Sequence, residues 1–235
     1  MERFWEIDAA RGIAIILMVT FHVFRDMKYF SLYTFDSIAF WWLFPRIIAS
    51  IFIFLVGMSL YISYSRTGKK HFGKYLKRGS KIFSWGLAIT TVTWVFAPEG
   101  FVFFGILHFI GVSVILAYPF LKKPRHNAII GAFFVLAGLA MSGFVLPFPW
   151  LMPLGILGRG VYTFDYFPIF PWFGIVLIGI WFGSLFYPGG KRDFKIPEID
   201  NAMARALSFM GRHSLKIYLL HQPVTIGIMY ALSVL

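Results

Sequence analysis

Apolar runs of about 20 residues recur along the whole chain, and that is the length an α-helix needs to cross the hydrocarbon core of a bilayer. Seven such runs stand out, roughly 7–24, 45–64, 80–97, 101–121, 128–146, 168–187 and 213–233. Helices are the spans to expect, because lipid offers no partner for unpaired backbone groups. A β-barrel would need shorter segments of alternating polarity, and these runs are continuous. Composition points the same way: 59% of the 235 residues are hydrophobic and 14% charged, whereas soluble domains carry about 25% charged residues. The expected fold is therefore an all-α, polytopic transmembrane helical bundle of about seven spans, forming a single domain over 1–235. The segment 147–167, PFPWLMPLGILGRGVYTFDYF, is apolar but broken by Pro and Gly. It reads as an additional interfacial or re-entrant segment with room for an eighth short helix. The Trp- and Phe-rich stretch 35–44 reads as an interfacial approach to the second span, with Pro45 in that span's first turn.

Lysine and arginine predict the orientation, since cytoplasmic loops carry the excess of both. The loop after the second run holds Arg66, Lys69, Lys70, Lys74, Lys77, Arg78 and Lys81. The loop after the fourth holds Lys122, Lys123 and Arg125, and that after the sixth Lys191, Arg192, Lys195, Arg205 and Arg212. The alternate loops carry Arg25 and Lys28, then none, then Arg159. The N-terminus is thus expected in the cytoplasm and the C-terminus outside, with the cell membrane as the site. MERFWEIDAARG has acids and no A-x-A-like cleavage site after its apolar stretch, so it reads as a retained first helix. Topogenic charge accounts for the net +12 without nucleic acid. The Arg66–Lys81 cluster is also suited to hold a polyanion at the cytoplasmic face. Cysteine is absent, which removes disulfides, thiolate metal sites and a Cys nucleophile.

Ionisable groups inside membrane spans are costly and mark candidate sites. Asp8, Arg11, Ile15, Met18 and His22 step by three and four, so they share one stripe of the first helix. Arg11 and His22 lie about three turns apart, roughly 16 Å. The bland reading is an Asp8–Arg11 pair at the helix start and a His22 that snorkels outward. His108 sits in the outer part of the fourth span, where a lone His is as readily a packing donor as a catalyst. In the last span Ser214, Tyr218, His221 or Gln222, and Thr225 again share a stripe, and Ser and Thr there serve equally as interhelical glue. Pro223 should kink that helix. Asp165 and Tyr166 lie outside, ahead of the sixth span, and Asp26 follows His22 by four residues, one turn beyond it if the helix continues. Together His22, Asp26, His108 and Asp165 supply the imidazoles and carboxylates of a general base oriented by a carboxylate. No Gly-rich phosphate loop, HExxH helix or GxSxG elbow is present. The histidines are too dispersed for spacing to argue a metal, so none is expected.

The segments DAARGIAIILMVTFH (8–22), IFIFLVGMSL (51–60), GILHFIGVSVILAY (105–118), DYFPIFPWFGIVLIGI (165–180) and GRHSLKIYLLHQP (211–223) resemble, in order, the catalytic-domain family of heparan-α-glucosaminide N-acetyltransferase. The DxxRG opening with a helix-ending His also resembles the wider bacterial transmembrane acyltransferases. The resemblance implies an acyl-CoA donor, acetyl-CoA or a relative, on the cytoplasmic side. It implies acetyl transfer to an amine or hydroxyl of a sugar or glycoconjugate acceptor presented outside. His22 takes the first-helix polar position of that family, which is Asn in the lysosomal enzyme, where a His further along is held to be catalytic. This chain has no His between His22 and His71, so that role is either missing or moved onto His22. Arg78 matches an Arg of the family and is the expected CoA-phosphate contact.

On this reading Arg78, Lys81 and Arg11 engage the phosphates, and His22 takes the acceptor's proton, oriented by Asp26 or Asp165. His108 and His221 line the acyl cavity and donate to the thioester oxygen, while Asp8, Tyr166 and Gln222 complete the substrate-binding set. Direct transfer and a covalent acyl-His intermediate stay open, as does self-association; membrane lipids are the surroundings. The alternative is a small-molecule transporter or ligand-binding membrane protein. Against it, the sequence has no inverted repeat and no matched pair of broken helices. A topology reporter fused after Arg125 is expected to behave as cytoplasmic and one after Leu235 as external. Both termini on one side would mean an even number of crossings.

Overall fold

The computed structural model describes residues 3–33, 35–67, 71–197 and 201–234. Lys69 and Lys70 of the basic loop, and Leu235, lie outside these. Among the described residues are eight α-helices: α1 (Trp5–Tyr29), α2 (Phe44–Ser65), α3 (Phe72–Phe96), α4 (Ile106–Leu116), α5 (Asn127–Met141), α6 (Ile169–Phe186), α7 (Ala202–Arg212) and α8 (Ser214–Val234). Each apolar run holds a helix, but among the described residues length and composition suit four stretches to crossing a membrane: Trp5–Tyr29, Ala39–Ser65, Pro124–Met141 and Ile169–Phe186. The other three runs are interrupted. α4 has 11 residues, α3 opens on Lys74, Lys77, Arg78 and Lys81, and α8 carries Lys216, His221, Gln222 and Thr225.

Two further differences from expectation have local causes. The helix of α2 reaches back through a π-helical turn, Ala39–Leu43, so most of the aromatic approach belongs to the span. There Phe40 and Phe44 pack at 5.8 and 6.3 Å from the Phe21 ring of α1. The basic stretch before the last span contains α7, started by Asn201, whose side chain accepts from the Ala204 N–H at 2.8 Å. An amphipathic helix of 11 residues carries no 20-residue apolar run to announce it. The 147–167 segment forms no α-helix. It has a 3₁₀ turn, Met152–Leu154, and a strand β2 (Leu157–Gly158) that pairs in parallel with β1 (Val145–Leu146), just ahead of the segment.

The chain divides into two compact units, one of residues up to Phe52 with those from Ile196 on, the other Ile53–Lys195. In the first, α7 crosses α1 backbone to backbone. A Cβ on Gly12 would collide with the Leu207 carbonyl, and one on Gly211 with the Asp8 carbonyl. Ala204, Ser208 and Gly211 form the buried stripe of α7, and Ser208 donates to the Trp5 carbonyl at 3.3 Å. Small residues permit this approach, as between membrane helices generally. In the second unit the C-terminal part of α2 meets α6 the same way, Gly57 facing the Val176 carbonyl and Gly179 the Phe54 carbonyl. Phe173, Val176, Leu177 and Ile180 of α6 are at most 1% exposed.

α5 displays Ile129, Phe133, Leu136 and Leu139, each 61% exposed or more. Those four lie on one stripe, an apolar face suited to lipid and out of place in water. The helices fit a membrane protein. Gly12→Val is expected to destabilise the α1–α7 crossing by at least about 1–3 kcal/mol, the cost of overpacking, read as a lower unfolding midpoint in detergent. An unchanged midpoint would show that the crossing tolerates a side chain.

Candidate active site

In the first unit, α1 and α8 bring together four of the residues singled out from sequence. The His22 Nδ1 lies 2.8 Å from the Met18 carbonyl and the His221 Nδ1 2.6 Å from the Tyr218 carbonyl. A carbonyl only accepts, so in the neutral rings Nδ1 carries the hydrogen and donates, leaving the lone pair on Nε2. The two rings meet at 4.7 Å, nearly perpendicular. His22 is partly exposed. His221 is 8% exposed, and its Nε2 is buried without a hydrogen-bond partner among the described residues. Asp26, also buried, accepts from the Thr225 hydroxyl at 2.8 Å and from the Gln222 amide at 3.3 Å. His22 is thus oriented by a backbone carbonyl, and Asp26 is held by α8. Thr225 was absent from the sequence-derived site; its signal was the polar stripe of the last span, four residues on from His221.

At the start of α1 the stripe begins with an ion pair. Arg11 donates to Asp8 Oδ1 at 3.0 Å, and Arg3 lies 3.8 Å from Oδ2. Asp8 is 5% exposed, buried where Gly211 of α7 meets its backbone. Asp8 therefore positions Arg11, whose side chain remains 21% exposed.

The second unit holds the other predicted residues. The His108 Nδ1 accepts from the Gly105 N–H at 3.3 Å, so Nε2 carries the hydrogen and donates to the Thr90 hydroxyl oxygen at 3.2 Å. That hydroxyl donates in turn to the Val102 carbonyl at 2.6 Å. Both ring nitrogens are engaged, and the ring is packed on Phe104 and Phe83. Asp165 Oδ2 accepts from the Ile106 N–H at 2.9 Å, capping the first turn of α4. Tyr166 donates its hydroxyl to the Met152 carbonyl at 2.7 Å, and burial pushes its phenol up to about 12. These bonds fasten the 163–167 stretch along 100–106, where Phe164 and Phe167 donate to the Gly100 and Phe104 carbonyls.

Arg78 and Lys81 lie exposed on the first turns of α3. No ion pair among the described residues engages either. Nearby, Tyr75 packs against Tyr118 at 5.3 Å and Tyr64 at 6.4 Å. The Lys122 ammonium sits 5.3 Å over the Tyr118 ring, so cations and aromatic rings share this end of the unit. Among the described residues no group of three or more His, Asp or Glu converges where a metal ion could sit.

The arrangement offers an exposed-side imidazole with a free lone pair, a buried partner imidazole and a hydrogen-bonded carboxylate, the parts from which proton abstraction is built. No curated protein and no solved structure matches the chain. The family described as heparan-alpha-glucosaminide N-acetyltransferase, catalytic, matches residues 3–223, a range that includes every predicted site residue. The chain therefore belongs to the heparan-α-glucosaminide N-acetyltransferase catalytic family.

Proposed function

We propose that this protein is a membrane-embedded acetyltransferase that moves the acetyl group of cytoplasmic acetyl-CoA, or a related acyl-CoA, to an amine or hydroxyl of a sugar presented on the outer side. Family membership supports the transferase class. The observation that carries the catalytic reading is the His22 imidazole, whose Nδ1–H is committed to the Met18 carbonyl, leaving Nε2 as a base on the partly exposed side of the cluster.

In the reaction the acceptor's nitrogen or oxygen attacks the thioester carbonyl while His22 Nε2 removes its proton. The C–S bond breaks, and the CoA thiolate takes the proton back from the His22 imidazolium. Arg78 and Lys81 are assigned to the CoA phosphates through charge-assisted hydrogen bonds. Asp26 supplies negative charge to the cluster that holds the imidazolium. His108 and Asp165 are assigned to holding the 100–106 segment, because their hydrogen-bonding groups are spent on Gly105, Thr90 and Ile106. The N-terminus is assigned to the cytoplasm of a cell-membrane protein, on the lysine and arginine asymmetry.

Incubation of purified protein with labelled acetyl-CoA and a panel of amino sugars tests the reading directly. CoA release with acceptor labelling marks an enzyme; uptake without CoA release marks a carrier and overturns it. His22→Ala is expected to lower transfer by about 10²–10⁴-fold, the usual contribution of a general base. His22→Asn is expected to be as inactive as Ala while binding acyl-CoA normally, since Asn keeps the size and polarity but has no basic nitrogen. Near-normal turnover in a folded His22→Ala protein would sink the assignment.

Arg78→Ala is expected to weaken acyl-CoA binding about ten- to a hundred-fold, the loss of one charge-assisted hydrogen bond of about 1.5–3 kcal/mol. Acceptor affinity should hold, and raised salt should weaken donor binding in the same direction. Unchanged donor affinity would remove Arg78 from the site.

A further inference from the structure

We propose that His22 and His221 hold one proton between them, so that the proton His22 takes from the acceptor is shared with His221 until the leaving thiolate reclaims it. The role assigned to the proton rests on the acetyl-transfer reading above; the sharing itself rests on the geometry of the two rings.

Both imidazoles are fixed in the same tautomer by backbone carbonyls, Met18 for His22 and Tyr218 for His221. Each therefore presents a bare Nε2, and two lone pairs have no hydrogen with which to bond each other. The rings are nonetheless held at 4.7 Å, and the His221 Nε2 is buried without any donor. A buried acceptor left unpaired is unfavourable. A single proton supplies the missing hydrogen, converting two unpartnered lone pairs into one charge-assisted N–H···N bond.

His22 is the partly exposed member and His221 the buried one, which sets the direction of travel. The acceptor's proton forms an N–H bond at His22 Nε2. That bond breaks as one forms at His221 Nε2, returning His22 to the neutral base, and the reverse transfer delivers the proton to the thiolate.

The charged and titratable groups facing the pair from α1 and α8 are Arg25, which acts on both rings, Asp26, which acts on His221, and Tyr218, whose ring lies 5.5 Å from that of His221. The carboxylate of Asp26, anchored by Thr225 and Gln222, offsets one positive charge. A second proton would place two cationic rings with centroids 4.7 Å apart, beside Arg25, where like charges repel. His221 is thus a positioning residue that acts through His22, and the pair counts one proton.

The test is a ¹⁵N-histidine NMR titration of the full chain in lipid nanodiscs, with His22 and His221 assigned by Gln substitution. In the unsubstituted protein the two rings are expected to shift together over a single step of one proton. His221→Gln is expected to change the proton affinity of His22 by about 5- to 150-fold, and His22→Gln that of His221 by the same factor, because coupling is reciprocal. Either variant that folds therefore suffices. Two independent protonations, an unaltered His22 titration in His221→Gln, or no uptake above about pH 4 would overturn the pair. Turnover separates this from the functional reading. A shared proton without acetyl transfer overturns the transferase and leaves the pair. Transfer that depends on His22, with independent titrations, does the reverse.

Discussion

The backbone contact between α1 and α7 sets the register on which the rest of the first unit depends. Gly12 faces the Leu207 carbonyl and Gly211 the Asp8 carbonyl, so α7 runs antiparallel to α1 and ends beside its first turns. Only His213 separates α7 from α8, and the chain then returns along α1. That brings His221 to His22 and Thr225 to Asp26. A side chain at either glycine would move this register and with it the meeting of the two imidazoles. The RG of the DxxRG opening thus has two separate physical tasks: Arg11 is held by Asp8, and Gly12 admits α7.

The second dependence is the need of every polar group in an apolar surrounding for a partner. Asp8 finds Arg11, Asp26 finds Thr225 and Gln222, and His108 finds Gly105 and Thr90. These bonds give stability and placement. The His221 Nε2 is buried without a hydrogen-bond partner among the described residues, and its ring lies against the partly exposed His22. Three histidines that look alike in sequence therefore differ in kind. A ring with both nitrogens spent holds a loop, whereas a ring tied through Nδ1 alone retains a basic nitrogen for chemistry.

The two carboxylates expected to orient a base divide in the same way. Asp165 spends an oxygen on the first turn of α4, fixing the short helix that carries His108. Asp26 is gripped from α8 by Thr225 and Gln222 and makes no hydrogen bond to His22 among the described residues. The orienting acceptor is a backbone carbonyl one helical turn back, a group that every helix possesses and that no residue type announces.

The sequence by itself determined the helical class and the family. Apolar run length and the absence of backbone partners in lipid leave no other secondary structure for the spans, and five segments in order carry the resemblance. It also put His22 on the first helix and His221 and Gln222 on the last, because helical spacing is local; that α1 continues through Asp26 was for the structure to show. Tertiary structure decided what spacing cannot carry. His22 and His221 are 199 residues apart in the chain, and only the glycine crossing of α7 brings them into contact. The choice of tautomer, and hence which nitrogen is a base, depends on which backbone group each ring meets. α7 escaped the run-length reading because 11 amphipathic residues with two arginines gain their stability by packing a small-residue stripe on α1, not by apolar length. α4 starts inside its run, at Ile106, where Asp165, 59 residues away, caps it. In each case the deciding partner is remote in sequence, and a reading built on neighbours three and four residues apart has no access to it.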